Sequence, residues 1–297
     1  MKISRVGIAT TMVFLAGAAF FGYRSGRSSR EFVSAVSTFV TTKTESIVTL
    51  LPGSDRGNSP LEKLLKVLGL MTQEVRVPIL LYHYVEPYTD DENDFMRRWM
   101  TVLPGVFDEQ LRLLEEHGYT TITLGDLAEA LTRRRRLPEK AVVLTFDDGY
   151  RDFYTHAFPI LKKHNAKATN FIIYNHLGLR NNLTKAQVRE MLDSGLVEIG
   201  AHTLNHAYLP YVSEEQAWRE ISECKSTLEE EFGVDIYSLA YPGGKFDEAA
   251  LDLVREAGYQ VAVSTIETIY HTESMLFKLG RVKVGNWVGE EFLNLLQ

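Results

Sequence analysis

Ala141-Val142-Val143-Leu144-Thr145-Phe146-Asp147-Asp148-Gly149-Tyr150 is the stretch on which the reading of this chain turns. Its first five residues are apolar or β-branched and read as a strand buried on both faces. Such strands belong to parallel sheets with helices packed against them. Two adjacent carboxylates then leave the strand together. Like charges side by side are costly unless a cation lies between or beside them. Asp-Asp-Gly alone is also a common turn, so the neighbouring segments must decide.

Outward from this run, short apolar stretches alternate with helical ones. Residues 77–82, 120–122, 168–173, 197–201, 236–241 and 261–264 read as strands. Residues 107–117, 124–133, 152–164, 184–194, 213–232 and 247–257 read as helices. Gly118, Gly195, Gly233 and Gly258 fall just past helical stretches, where a left-handed cap needs glycine. The pattern predicts an α/β domain over residues 77–297, its parallel sheet open or closed into a barrel. That span of about 220 residues is near the usual size of a (β/α) barrel.

Chemistry in such folds sits beyond the carboxyl ends of the strands. Here those ends carry His83, the Asp147-Asp148 pair, His202 with His206, and Pro242-Gly243-Gly244. If one helical turn follows the strand, His202 and His206 face the same point. Two histidines and one aspartate are three protein ligands, the number that leaves a divalent metal an open position for water. The second aspartate is then free to act as a base.

Thr145-Phe146-Asp147-Asp148-Gly149-Tyr150 and His202-Thr203-Leu204-Asn205-His206 resemble the first two motifs of the polysaccharide deacetylases, the NodB-homology or carbohydrate esterase 4 family. Val77-Pro78-Ile79-Leu80-Leu81-Tyr82-His83 and residues 119–127 resemble the branch that deacetylates poly-N-acetylglucosamine in biofilms. The resemblance covers roughly residues 77–284 and implies the distorted (β/α) barrel of that family. It implies that Asp148, His202 and His206 hold one divalent ion, Zn²⁺ or another such as Co²⁺, and that Asp147 is the general base. A bound Zn²⁺ would lower the pKa of its water and polarise an acetyl carbonyl. Gly243 and Tyr241, on either side of Pro242, are the positions expected to stabilise the oxyanion and contact substrate.

Two departures from the family pattern stand out. Ala240 occupies the place of an arginine that holds the base, and no late Leu-x-x-His supplies the acid for the leaving amine; the only later histidine, His271, lies in a polar loop. Arg281, on a late apolar strand over residues 279–284, is the candidate replacement for the arginine. His83 is the candidate acid, because the biofilm-type branch resembles a permuted arrangement that uses an early histidine.

Composition bounds the rest. The chain has 297 residues, 45% hydrophobic and 24% charged, enough to bury a sizeable core. Cys224 is the only cysteine, which excludes a disulfide scaffold and a cysteine-based zinc site. Residues 1–30 hold five basic residues and no acid, leaving 27 basic against 39 acidic residues in the remainder. An acidic body argues against nucleic acid as a partner. The run Arg133–Arg136 is the one basic cluster there, read as a solvated turn. Residues 6–23 carry no charge and follow Lys2 and Arg5, the pattern of an export signal or a short membrane anchor. Residues 31–76 read as a stalk with short helices.

The expectation is therefore an exported, membrane-anchored or secreted hydrolase. Its substrate would be a β-linked N-acetylated amino-sugar polymer, such as poly-N-acetylglucosamine, peptidoglycan or a chitin-like glycan. O-deacetylation of an acetylated xylan and a noncatalytic glycan-binding module are the alternatives. The loops at residues 86–101 and 175–183 are polar and irregular and read as the groove that sets specificity.

Overall fold

The computed structural model describes residues 74–88, 95–132 and 135–297. The expected anchor at 6–23 and the stalk up to residue 73 lie outside the described residues. In chain order the elements are β1 (Val75–Arg76), β2 (Ile79–Tyr82), β3 (Tyr84–Val85), α1 (Phe95–Met100), β4 (Thr101–Val102), α2 (Pro104–Glu116), β5 (Thr120–Ile122), α3 (Leu124–Leu131) and β6 (Ala141–Phe146). There follow α4 (Phe158–Lys163), β7 (Ala168–Ile172), α5 (Lys185–Asp193), β8 (Val197–Ala201), α6 (Glu214–Phe232), β9 (Ser238–Ala240), α7 (Glu248–Glu256), β10 (Val261–Val263), β11 (Tyr270–His271), β12 (Val282–Lys283) and α8 (Gly289–Asn294).

Eight strands form one parallel sheet in the order β10-β9-β8-β7-β6-β2-β12, with β5 alongside β6. The sheet curls. Leu279 bridges Val263 in parallel, while Val282 and Lys283 pair with Leu80 and Leu81 of β2. One short segment thus touches both ends of the strand order.

Strand residues alternate between two apolar layers, as a period of two demands. Leu80, Leu144, Ile172 and Ile199 join Phe107, Phe158, Met191, Ile221 and Leu251 from the surrounding helices. Ile79, Val143, Phe171, Ala240, Val261, Val263 and Leu279 form the inner layer, with Leu124 and Leu127 of α3. Gly200 belongs to this inner face, since a Cβ there would meet the Phe171 ring at 2.5 Å. Continuing each inner register past its strand reaches His83 after Ile79, Asp147 after Val143, His202 after Gly200 and Arg281 after Leu279. Strand parity alone therefore aims four chemically active side chains at one rim.

Three local expectations need correction. The helix expected over 152–164 begins as a π turn at Phe153–Ala157 before α4. The stalk expected through residue 76 ends sooner, because Val75 and Arg76 pair antiparallel with His271 and Tyr270. His271, expected in a polar loop, is fully buried and hydrogen-bonds the Val77 carbonyl through Nε2 at 3.1 Å. Polar neighbours in sequence do not reveal a two-stranded ribbon closed between residues about 195 apart, because loop closure over such a length costs little more than over a shorter one.

Candidate metal and catalytic site

The inner strand β6 delivers Asp147 directly, but its neighbour Asp148 would point to the helix side in a regular strand. The backbone solves this by turning left-handed, with φ 73° at Asp148 and 63° at Gly149. The side-chain amide of Asn182 donates to the Asp148 carbonyl at 3.2 Å and holds the turn. The segment after β8 does the same. Thr203 and His206 have φ of 62° and 60°. The expected helical turn between the two histidines is thus absent, and a strained tight turn closed by Ala207 N–H donating to Thr203 Oγ1 (3.1 Å) replaces it. Of the four non-glycine residues with positive φ among the described residues, three are in these two turns. Each costs roughly 1–3 kcal/mol, a strain that persists only where the surrounding structure fixes it.

The result is one cluster. The Nε2 atoms of His202 and His206 each lie 3.4 Å from Asp148 Oδ1. One ligand atom from each of Asp148, His202 and His206 falls within 4.8 Å of the other two. His202 Nδ1 donates to the Ala240 carbonyl at 2.7 Å, which aims Nε2 at the cluster. One carboxylate and two imidazole nitrogens suit a divalent ion of the Zn²⁺ or Co²⁺ kind. Burial by itself would raise the Asp148 pKa, but the hydrogen bond and charge of His202, with His83 and His206, hold it well below the usual carboxylate range.

Arg281 reaches Asp147 from the other end of the sheet. Its NH1 and NH2 donate to the two carboxylate oxygens at 2.7 and 2.8 Å, and its NH1 also reaches Thr145 Oγ1 at 3.2 Å. Its Nε donates to the Ser264 carbonyl at 2.9 Å. Arg281 is 1% exposed, and this two-pronged contact fixes Asp147 in plane and charge. Burial works to raise the Asp147 pKa, and Arg281 overcomes it, so the carboxyl stays ionised. His83, just past β2, is buried enough to lower its pKa, while Asp147 and Asp148 act on it in the opposite sense.

The residues around Pro242 divide. Gly243 is exposed in a tight turn with φ 59°. Pro242 has no N–H, so the Gly243 N–H is the first donor of that turn, one that the turn itself leaves unsatisfied. Tyr241 differs from expectation. It is fully buried, its N–H donates to Val263 O at 3.1 Å, and its hydroxyl donates to Phe277 O at 2.9 Å. Both donors are spent inside the fold, so Tyr241 is a packing residue. The groove loops also proved partly structural. Glu86 is buried and gripped by Arg97 at 2.6 and 2.7 Å, and Asn182 serves Asp148.

Sequence reasoning missed Glu220. This buried carboxylate on α6 accepts from Asn205 N–H at 2.9 Å and from Asn205 Nδ2 at 2.7 Å. Asn205 stands between the two histidines of the cluster, so α6 clamps the turn that spaces them. A signal was present: Ala217, Ile221, Cys224 and Leu228 make the buried stripe of α6, and Glu220 is an acid inside that stripe.

A curled parallel sheet with this carboxylate–imidazole cluster and a second, arginine-held carboxylate at its strand exits has counterparts among known proteins. The chain belongs to the polysaccharide deacetylase family, whose profile matches residues 134–262. Bacillus subtilis YxkH is 31% identical over 209 residues, covering 70% of this chain and 71% of its own. The poly-β-1,6-N-acetyl-D-glucosamine N-deacetylase of Staphylococcus epidermidis is 26% identical over 70% of this chain and 78% of its own. Among solved structures, the Streptococcus pyogenes deacetylase PplD has a TM-score of 0.71 at 30% identity, with 76% of this chain and all of that chain covered. IcaB from Ammonifex degensii has a TM-score of 0.65 at 25% identity, covering 74% and 95%.

Proposed function

We propose that the protein removes N-acetyl groups from a β-linked N-acetylglucosamine polysaccharide, using a divalent ion held by Asp148, His202 and His206. The observation that carries this reading is the placement of Asp147, forked by Arg281, beside those three residues on one rim. The name of the staphylococcal relative supports the choice of polymer. The curled sheet is the distorted barrel expected of the family.

The ion, when bound, would acidify a water and polarise the acetyl carbonyl. Asp147 is ionised and immobilised, and takes the proton as the water oxygen bonds to the acetyl carbon. The Gly243 N–H donates to the oxygen that gains negative charge. His83 delivers a proton to the substrate nitrogen as the carbon–nitrogen bond breaks, since an unprotonated amine leaves badly. Acetate and a free amino sugar are the products.

Residues 6–23 are proposed to direct export and to anchor the chain, with the following segment spacing the domain from the bilayer. Among the described residues no helix is long and apolar enough to cross a membrane. Acetate release from poly-β-1,6-N-acetylglucosamine, chitin oligomers, peptidoglycan and acetylxylan tests the activity. Release from the first and none from acetylxylan is expected. Release from acetylxylan alone would overturn the assignment to N-acetyl groups.

A further inference from the structure

Beyond His206 the chain makes a short 3₁₀ turn, Leu209–Tyr211, that no step above uses. Leu209 is 3% exposed and pins the turn to the core, and Pro210 restricts its backbone. Tyr208 is the extended residue (φ −75°, ψ 98°) that leads into this turn, and Tyr211 is its last residue. Tyr208 and Tyr211 are three apart. The Tyr211 N–H donates to the Tyr208 carbonyl at 2.9 Å, and their ring centroids are 6.4 Å apart. Both rings face water, at 45% and 74% exposure. Neither hydroxyl has a hydrogen-bond partner among the described residues.

Exposed tyrosines are ordinary, so position decides what these do. The Tyr208 ring meets His206 edge-on at 5.7 Å. Its Cε1 lies where a Cβ on Gly243 would be, only 2.5 Å from that point. A side chain at 243 would therefore displace the ring. Tyr208 meets both a metal-ligand candidate and the proposed oxyanion donor's turn, while the Tyr211 ring meets Tyr208 and neither of those two. The pair is rigid in backbone, amphipathic, and continuous with the reaction centre. Pyranose rings offer a C–H face that packs on an aromatic ring and hydroxyls that take hydrogen bonds from a free phenol, which suits tyrosine better than phenylalanine.

We propose that Tyr208 and Tyr211 form a sugar-stacking ledge that binds the pyranose rings flanking the acetylated residue, on the His206 side of the site. The proposal rests on the polysaccharide deacetylase reading and adds to it a subsite and a direction for the polymer. It predicts that affinity grows with oligomer length because Tyr211 is reached only by residues beyond the one being deacetylated.

The test is equilibrium binding of defined β-1,6-linked N-acetylglucosamine oligomers to the full, metal-loaded chain carrying Asp147→Asn, which binds without turnover. Adding Tyr211→Ala should weaken binding of long oligomers by about three- to tenfold and leave the monosaccharide unaffected. Tyr211→Phe should keep most of the affinity. Tyr208→Leu should weaken both ligands while metal content stays stoichiometric. Unchanged long-oligomer affinity in Tyr211→Ala would overturn the ledge. Failure of the deacetylase reading would show separately, as oligomer binding by the unsubstituted protein without acetate release.

Discussion

Asp147 and Arg281 are 134 positions apart in sequence and meet in a buried two-pronged pair. Removing either charge strands the other. Arg281→Ala should cost about 3–5 kcal/mol of stability and be visible as a lowered denaturant midpoint, together with a large loss of turnover. Arg281→Lys should recover part of the stability and less of the turnover, because an ammonium cannot donate to both oxygens. Asp147→Asn should keep the ion and lose turnover by roughly 10²–10⁴-fold; loss of the ion instead would make Asp147 a ligand. His83→Ala should keep the ion, lose activity on N-acetyl substrates and lose less on an activated aryl acetate, whose phenolate leaves without a proton. Equal losses on both would give His83 a structural role. Asp147 and Arg281 were legible because one leaves an apolar strand and the other lies on one, and parity fixes where each points. Tyr241 was misplaced because the sequence does not say which donors a neighbouring strand has already taken.

At the level of elements, the site depends on turns that no pattern in the sequence announces. Left-handed φ is uncommon for any residue but glycine, and at Thr203 it falls on a β-branched residue that resists it, so propensity does not foretell these turns. What holds the second turn is α6, through Glu220. Glu220→Ala should weaken metal affinity by about 10–100-fold, measured by competition with a chelator, while Glu220→Gln should restore part of it. Unchanged affinity in the alanine variant would reduce Glu220 to a packing role. A second buried acid, Asp152, accepts from Val85 N–H at 2.6 Å, and burial raises its pKa to about 7. Its folded pKa lies above its unfolded value. The unfolded chain therefore releases this proton first, and the folded state loses stability as pH rises between the two values. Asp152→Asn should then stabilise more at about pH 8 than at about pH 4 in thermal melts. An equal shift at both pH values would contradict the buried-acid account.

For the molecule as a whole, the alternation of apolar runs and helices was enough to foresee the parallel sheet and its rim. The bridging of the sheet's ends by residues 279–283 was not, since reading a late apolar strand there does not say which strands it will meet. The N-terminal segment is proposed to carry the domain out of the cell, so fractionation should find it with the membrane or outside. A full-length cytoplasmic pool would refute that part alone. The central claim is that one divalent ion at Asp148, His202 and His206 runs the deacetylation. Acetate release from poly-β-1,6-N-acetylglucosamine should vanish after chelation and return with one equivalent of Zn²⁺ or Co²⁺. Undiminished release from protein shown to be free of metal would contradict the claim.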